Sequence, residues 1–155
     1  MAQYWCDIYL WEAILNTNPQ IDTIVELGTW QGGFSLFLKM QAEVRHMNFL
    51  TYDSINFHSP AHKLIPFVKR DIFADQKEIG RLISLSPTVL FCDNGNKPRE
   101  LKIFAPYLTS DSVVIVHDWM TEIFPNDIPD YLEEIYGDFC NDIGSISRVF
   151  RKKVE

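Results

Sequence analysis

Apolar residues recur along this chain with two periods. Tyr4, Ile8, Trp11, Ile14 and Leu15 stand three and four apart and predict a helix over 4–16, ended by the polar run NTNPQ. The compact run TIVELG (23–28) predicts a buried strand closed by glycine. Helical and strand-like stretches then alternate. GFSLFLKMQ carries Phe34, Phe37, Leu38 and Gln41 at helical spacing, and MNFLTYDS (47–54) predicts a second strand. IPFVKRD (65–71) predicts a third, and ADQKEIGRLISL a helix with Ile79, Leu82 and Ile83 facing inward. PTVLFCD (87–93) is the fourth strand, KPRELKIFAPYL a helix with Pro98 in its first turn, and SVVIVHD (112–118) the fifth strand. After these, IPDYLEEIY (128–136) predicts a helix stopped by Gly137, and FCNDIGSISRVFRKK predicts two strands around a turn at Gly144.

Strands separated by helices pair in parallel. The pattern therefore predicts an α/β fold. Its core is a doubly wound sheet, mostly parallel, of seven strands with the last antiparallel. No repeat, low-complexity tract or linker interrupts it, so residues 1–155 read as one domain. In such sheets a ligand sits beyond the carboxyl ends of the strands. Those ends carry Glu26, Asp53, Asp71, Asp93 and the pair His117-Asp118. Acids gathered on one edge repel, so folding alone does not account for five of them.

Charge and composition narrow the partners. A formal net charge of -7 argues against a nucleic-acid backbone, which needs a basic face. No apolar run approaches the ~20 residues that span a bilayer, and the N-terminus MAQYWCDIYLWE lacks the basic start of a secretory leader. Cys6, Cys92 and Cys140 are odd in number and far apart, which fits no zinc or disulfide pattern and points to a reducing cytoplasm.

The stretch VELGTWQGGFS (25–35) carries the chemistry. Gly28 lets the chain leave the strand, and Gly32 and Gly33 let the next helix pack close. The spacing E-x-G-x-x-x-G-G, with Trp30 and Gln31 inside the turn, is not that of a dinucleotide site with bare amides for a pyrophosphate. Glu26 at the strand end suits a cationic group. Asp53, one strand later, is placed to accept from a ribose diol. A positively charged nucleoside with an amino-acid tail, such as S-adenosylmethionine, fits both.

With those motifs in place, the chain resembles class I S-adenosylmethionine-dependent methyltransferases, from about residue 3 to the end. The first motif is VELGTWQGGFS, the acidic second motif TYDS, and the third RDIF. LFCDNGNK and VVIVHDW are similar to the strand ends of a smaller group. That group includes catechol and macrocin O-methyltransferases and the cephalosporin hydroxylase or rhamnosyl O-methyltransferase-like proteins. The resemblance implies a Rossmann-like sheet with S-adenosyl-L-methionine as cofactor and Mg2+ as a further one. It puts Glu26, Gly28, Thr29, Trp30 and Gly32 around the methionine part and the turn. Asp53 and Ser54 fall at the ribose, and Asp71 and Ile72 at the adenine. Asp93 would sit beside the methyl group and ligate metal, with Asp118 and His117 completing a metal or base site. Lys97 is a further catalytic candidate. The sequence departs from the group at Asn96, where many relatives carry histidine, and in reading His-Asp at the fifth strand end.

The expected reaction is methyl transfer to a small hydroxylated acceptor, a sugar or a phenol, without nucleic acid or membrane. A second copy of the chain or the N-terminal helix is left to cover the acceptor. Two other readings share the fold: a nicotinamide dehydrogenase, which the glycine spacing opposes, and a non-catalytic nucleoside-binding domain.

Overall fold

A computed structural model describes residues 4–154. Helix α1 (Trp5–Thr17) leads into β1 (Thr23–Leu27), α2 (Gly33–Val44), β2 (Asn48–Asp53) and β3 (Phe67–Lys69). Then come α3 (Gln76–Ile83), β4 (Thr88–Cys92), α4 (Lys97–Phe104), β5 (Val113–Val116), β6 (Leu132–Ile135), α5 (Gly137–Asp142) and β7 (Arg148–Lys152). The seven strands form one sheet in the order β3-β2-β1-β4-β5-β7-β6. The first five are parallel, and β7 runs antiparallel to both β5 and β6.

Helices cover both faces, so the central strands are buried throughout, as TVLFC at β4 shows. Alternate residues serve opposite layers. Ile24, Val89, Phe91 and Ile115 join Trp11, Ile14 and Leu38 in the layer under α1 and α2. Val25, Leu90, Cys92 and Val114 join Ile79, Ile83 and Leu101 in the layer under α3 and α4. The three cysteines are all buried and unpaired. No described helix is long and apolar enough to cross a membrane.

Strand number and the antiparallel last strand agree with the sequence pattern, but two elements near the C-terminus exchange character. The stretch expected as a helix over 128–136 contains β6, and the first arm of the expected hairpin is helix α5. Leu132 and Ile135 stand three apart, which imitates a helix. In the structure they fall on opposite faces of the sheet, Leu132 in the α3 and α4 layer and Ile135 against the α1 and α2 layer. β6 is held by cross-strand pairing, including Arg151 Nε on Glu133 Oε1 at 2.7 Å. Tyr136, at φ +64°, ends the strand and starts α5, which buries Cys140 beneath α1. The turn at Gly144 survives as a left-handed residue between α5 and β7.

Candidate active site

The alternation that sorts the core also builds the site. Residues in register with Ile24, Phe49, Phe91 and Ile115 point toward α1 and α2, so Glu26, Thr51, Asp53, Asp93 and His117 share that side at the carboxyl ends. Regular alternation would send Asp118 to the other side. Instead Asp118 has φ +57°, and the left-handed turn brings its carboxylate 3.2 Å from its neighbour His117 Nδ1. A cleft of about 470 Å³ opens here, lined among others by Glu26, Gly28, Trp30, Asp93, Lys97 and Asp118.

The glycine turn forms one wall. Gly28 has φ +106°, and a Cβ there would stand 2.3 Å from the Asp93 carbonyl oxygen. The absent side chain thus makes room for the β4 turn rather than for a ligand. Trp30 is itself left-handed at φ +44°. Its carbonyl accepts from His62 Nε2 at 2.7 Å, and the His62 ring stacks on Phe67. Ser59 Oγ donates to the Gln31 carbonyl at 2.5 Å, so the 59–61 loop closes the rim.

The floor is acidic. Glu26 is 2 % exposed and accepts from Thr51 Oγ1 at 2.6 Å, and Thr51 in turn accepts from Thr29 Oγ1. Among the described residues no lysine, arginine or histidine forms an ion pair with Glu26. Burial, with Asp93 and Asp53 nearby, pushes its carboxyl up to about 8 despite the Thr51 hydrogen bond.

Opposite Glu26 lies a cluster of charges from four segments. His117 Nδ1 is 3.3 Å from Asp93 Oδ1, and its Nε2 faces Asp7 Oδ2 of α1 at 3.7 Å. Lys97 Nζ is 2.7 Å from Glu122 Oε2, 2.9 Å from Asp118 Oδ2 and 3.4 Å from Asp93 Oδ1. Burial would lower both cations, but the surrounding carboxylates outweigh it. His117 rises to about 10, and Lys97 is held above the ordinary lysine range. His117 is therefore an imidazolium at neutral pH and a hydrogen-bond donor, not a ready base.

Asp93, His117, Asp118, Lys97, Glu26, Gly28, Thr29, Trp30 and Gly32 all meet at this cleft. Asp53, Ser54, Asp71 and Ile72 do not line it. The Asp53 carboxylate accepts from the Trp30 and Ile55 amides at 2.8 and 2.9 Å, and Ser54 is exposed. Asp71 is exposed and accepts from the Phe73 amide, while the Ile72 side chain is fully buried in the α3 and α4 layer. The sequence reading missed Asp7, Thr51, Glu122 and the 59–61 loop. Asp7 did leave a signal, because it sits beside Cys6 and Leu10 on the apolar face of α1. It is 1 % exposed and accepts from Ser145 and Ser147 at 2.9 and 3.0 Å.

This mostly parallel seven-stranded sheet, with β7 antiparallel between β5 and β6, is a fold shared with solved methyltransferase structures. CmcI in an apo form superposes with a TM-score of 0.75 at 15% identity, covering 100% of this chain and 74% of CmcI. CmcI in a complex with Mg and SAM gives 0.71 at 14% identity, over 99% of this chain and 74% of CmcI. An S-adenosyl-L-methionine methyl transferase from Silicibacter pomeroyi DSS-3 gives 0.58 at 14% identity, over 95% and 92% of the two chains. No family model matches the chain, and no curated protein matches it in sequence.

Proposed function

We propose that this chain is an S-adenosylmethionine-dependent methyltransferase acting on the hydroxyl of a small acceptor. The observation that carries the proposal is Glu26: a carboxyl buried on the cleft floor, without a cationic partner among the described residues. The amino group of adenosylmethionine would supply that cation. The carboxylates that edge the cleft, Asp93, Asp118 and Glu122, outnumber Lys97 and His117, so the field favours a ligand that carries positive charge. Asp53 accepts from two amides, which leaves lone pairs for the ribose hydroxyls. Ser54, Asp71 and the backbone of Ile72 would flank the adenosine beyond the cleft.

Displacement at a sulfonium methyl is mostly a matter of alignment. Trp30, pinned by His62, and the 59–61 loop hold the cofactor wall. Lys97 and His117 fix the opposite wall, where an acceptor oxygen would lie. Since both are already protonated, the acceptor's proton leaves to a carboxylate at the rim or to water. Burying a charged cofactor and discharging a neutral thioether also favours product release from an acidic cleft.

The test is calorimetric binding of S-adenosylhomocysteine and NAD, followed by label transfer from adenosylmethionine to a panel of sugars and phenols. Adenosylhomocysteine binding that Asp53→Ala weakens supports the reading, at roughly 1.5–3 kcal/mol for each charge-assisted bond lost. Binding of NAD alone would overturn it. Cofactor binding with no transfer to any acceptor would leave a nucleoside-binding domain in its place.

A further inference from the structure

Three carboxylates converge between the ends of β4 and β5, and they come from two segments. Asp93 follows β4, Asp118 follows β5, and Glu122 stands four residues beyond Asp118. Together with His117, Asp93 and Asp118 can place one ligand atom each within 4.8 Å of one another, which is the geometry of a small hard-cation site. Uncompensated acids this close repel. In this chain the three carboxylates already share a cation. The Lys97 ammonium lies 2.7, 2.9 and 3.4 Å from Glu122, Asp118 and Asp93, and the residue is 2 % exposed. An ammonium has three N–H donors, and here it faces three carboxylates.

The local backbone is built to deliver it. Asn96 caps α4 by accepting from the Arg99 amide at 3.2 Å. The buried Glu100 carboxylate accepts from the Asn96 amide at 3.1 Å. Gly95 turns the chain at φ +81°. These bonds fold Asn94–Asn96 into a loop that returns Lys97 over Asp93, four residues back. A lysine in the first turn opposes the helix dipole, and burying its charge is costly. Both costs make sense only where neighbouring acids offset them.

We propose that Lys97 is the resident cation of this acidic site, standing where a divalent metal would otherwise bind, so that the site needs no metal. An ion held by Asp93 and Asp118 would have to compete with the ammonium for both. The metal ligands that the family resemblance implied, Asp93, Asp118 and His117, therefore serve as an anchoring frame for Lys97. As a statement about catalysis this rests on the methyltransferase reading. As a statement about the cation it does not, and the test separates the two.

The test is titration with Mn2+, with free ion read by electron paramagnetic resonance, on wild type, Lys97→Met and Lys97→Met/Asp118→Asn. Wild type should show no binding tighter than about 1 mM, the weak end for oxygen-ligand sites. Lys97→Met, which keeps the stem and removes the charge, should gain one Mn2+ per chain at least about tenfold tighter, and the double variant should lose it. Should Lys97→Met not fold, Lys97→Gln takes its place, and the wild-type titration stands by itself. One tightly held Mn2+ in wild type, or no gain in a folded Lys97 variant, would overturn the proposal. Failure of adenosylhomocysteine to bind, with or without EDTA, would instead count against the methyltransferase reading and leave the Mn2+ result untouched.

Discussion

Under the methyltransferase proposal, the buried Glu26 side chain would set the ligand's charge. With its carboxyl at about 8, it is mostly protonated at pH 7 in the unliganded chain. A cationic amino group placed beside it favours the ionised form, so binding should expel a proton. Calorimetry of adenosylhomocysteine at pH 7 in buffers of different ionisation enthalpy should show heats that vary with the buffer, with a slope near one proton released. Glu26→Gln should abolish the slope, and the slope should fade as pH rises past 8, where Glu26 is already ionised. A buffer-independent heat in wild type at pH 7 would remove the amino group from this position. Glu26 was legible from the sequence, because an acid near the end of the short apolar run TIVEL is hard to explain otherwise. Its partner Thr51 was not, because a threonine inside NFLTYD reads as an ordinary strand residue. Nor was the charge of His117, which depends on Asp7, a residue 110 positions earlier (117 minus 7) on another element.

At the scale of elements, the parallel strands announced themselves through burial on both faces, which forces continuous apolar runs such as TVLFC and VVIV. β6 lies at the edge of the sheet and is only partly covered, so its pattern LEEI carries no such constraint. Two good helix formers in its middle, Glu133 and Glu134, biased the reading toward helix. What fixes the strand is its partner. Glu133 pairs with Arg151 and Glu134 approaches Arg148 at 3.3 Å, both across from β7. A charge swap isolates this. Glu133→Arg alone should lower stability by about 0.2–1 kcal/mol, and adding Arg151→Glu should restore most of it, measured by urea denaturation. Additive losses in the double variant would mean that the pair does not hold β6. The same reasoning covers α5, whose Phe139 and Cys140 look strand-like in sequence but pack beneath α1.

Across the whole molecule, α1 joins the beginning of the chain to its end and to the site. Asp7 takes hydrogen bonds from Ser145 and Ser147 ahead of β7 while facing His117 after β5. Buried groups with raised values then give stability a definite pH dependence, Glu26 and His117 among them. Glu26 rises from 4.5 to about 8 on folding, and His117 from 6.5 to about 10. Each keeps a proton in the folded chain that the unfolded chain has already released. The stability they contribute is therefore complete below the unfolded values and is lost as pH climbs through the folded ones. Asp7 and Asp118 are lowered from 3.8 and act only at the acid end, where stability is lost as pH falls. The thermal midpoint should thus decline from pH 6.5 to 10. Asp7→Asn should flatten the decline above pH 7 by weakening the hold on the His117 proton, besides destabilising the chain by roughly 1–3 kcal/mol at neutral pH. A midpoint that stays level or rises over this window would contradict both assignments.

An ammonium carried on a side chain is made when the chain is made. Lys97 reaches its three acids by folding alone, so this positive charge of the site is inherited rather than acquired. On the proposal that Lys97 is the resident cation, nothing would have to be loaded after synthesis, a chelator would have nothing to take away, and scarcity or excess of metal in the surroundings would leave the site as it was. The same permanence removes a freedom: a bound ion can be exchanged for another with different reactivity, whereas this charge belongs to a residue of the chain.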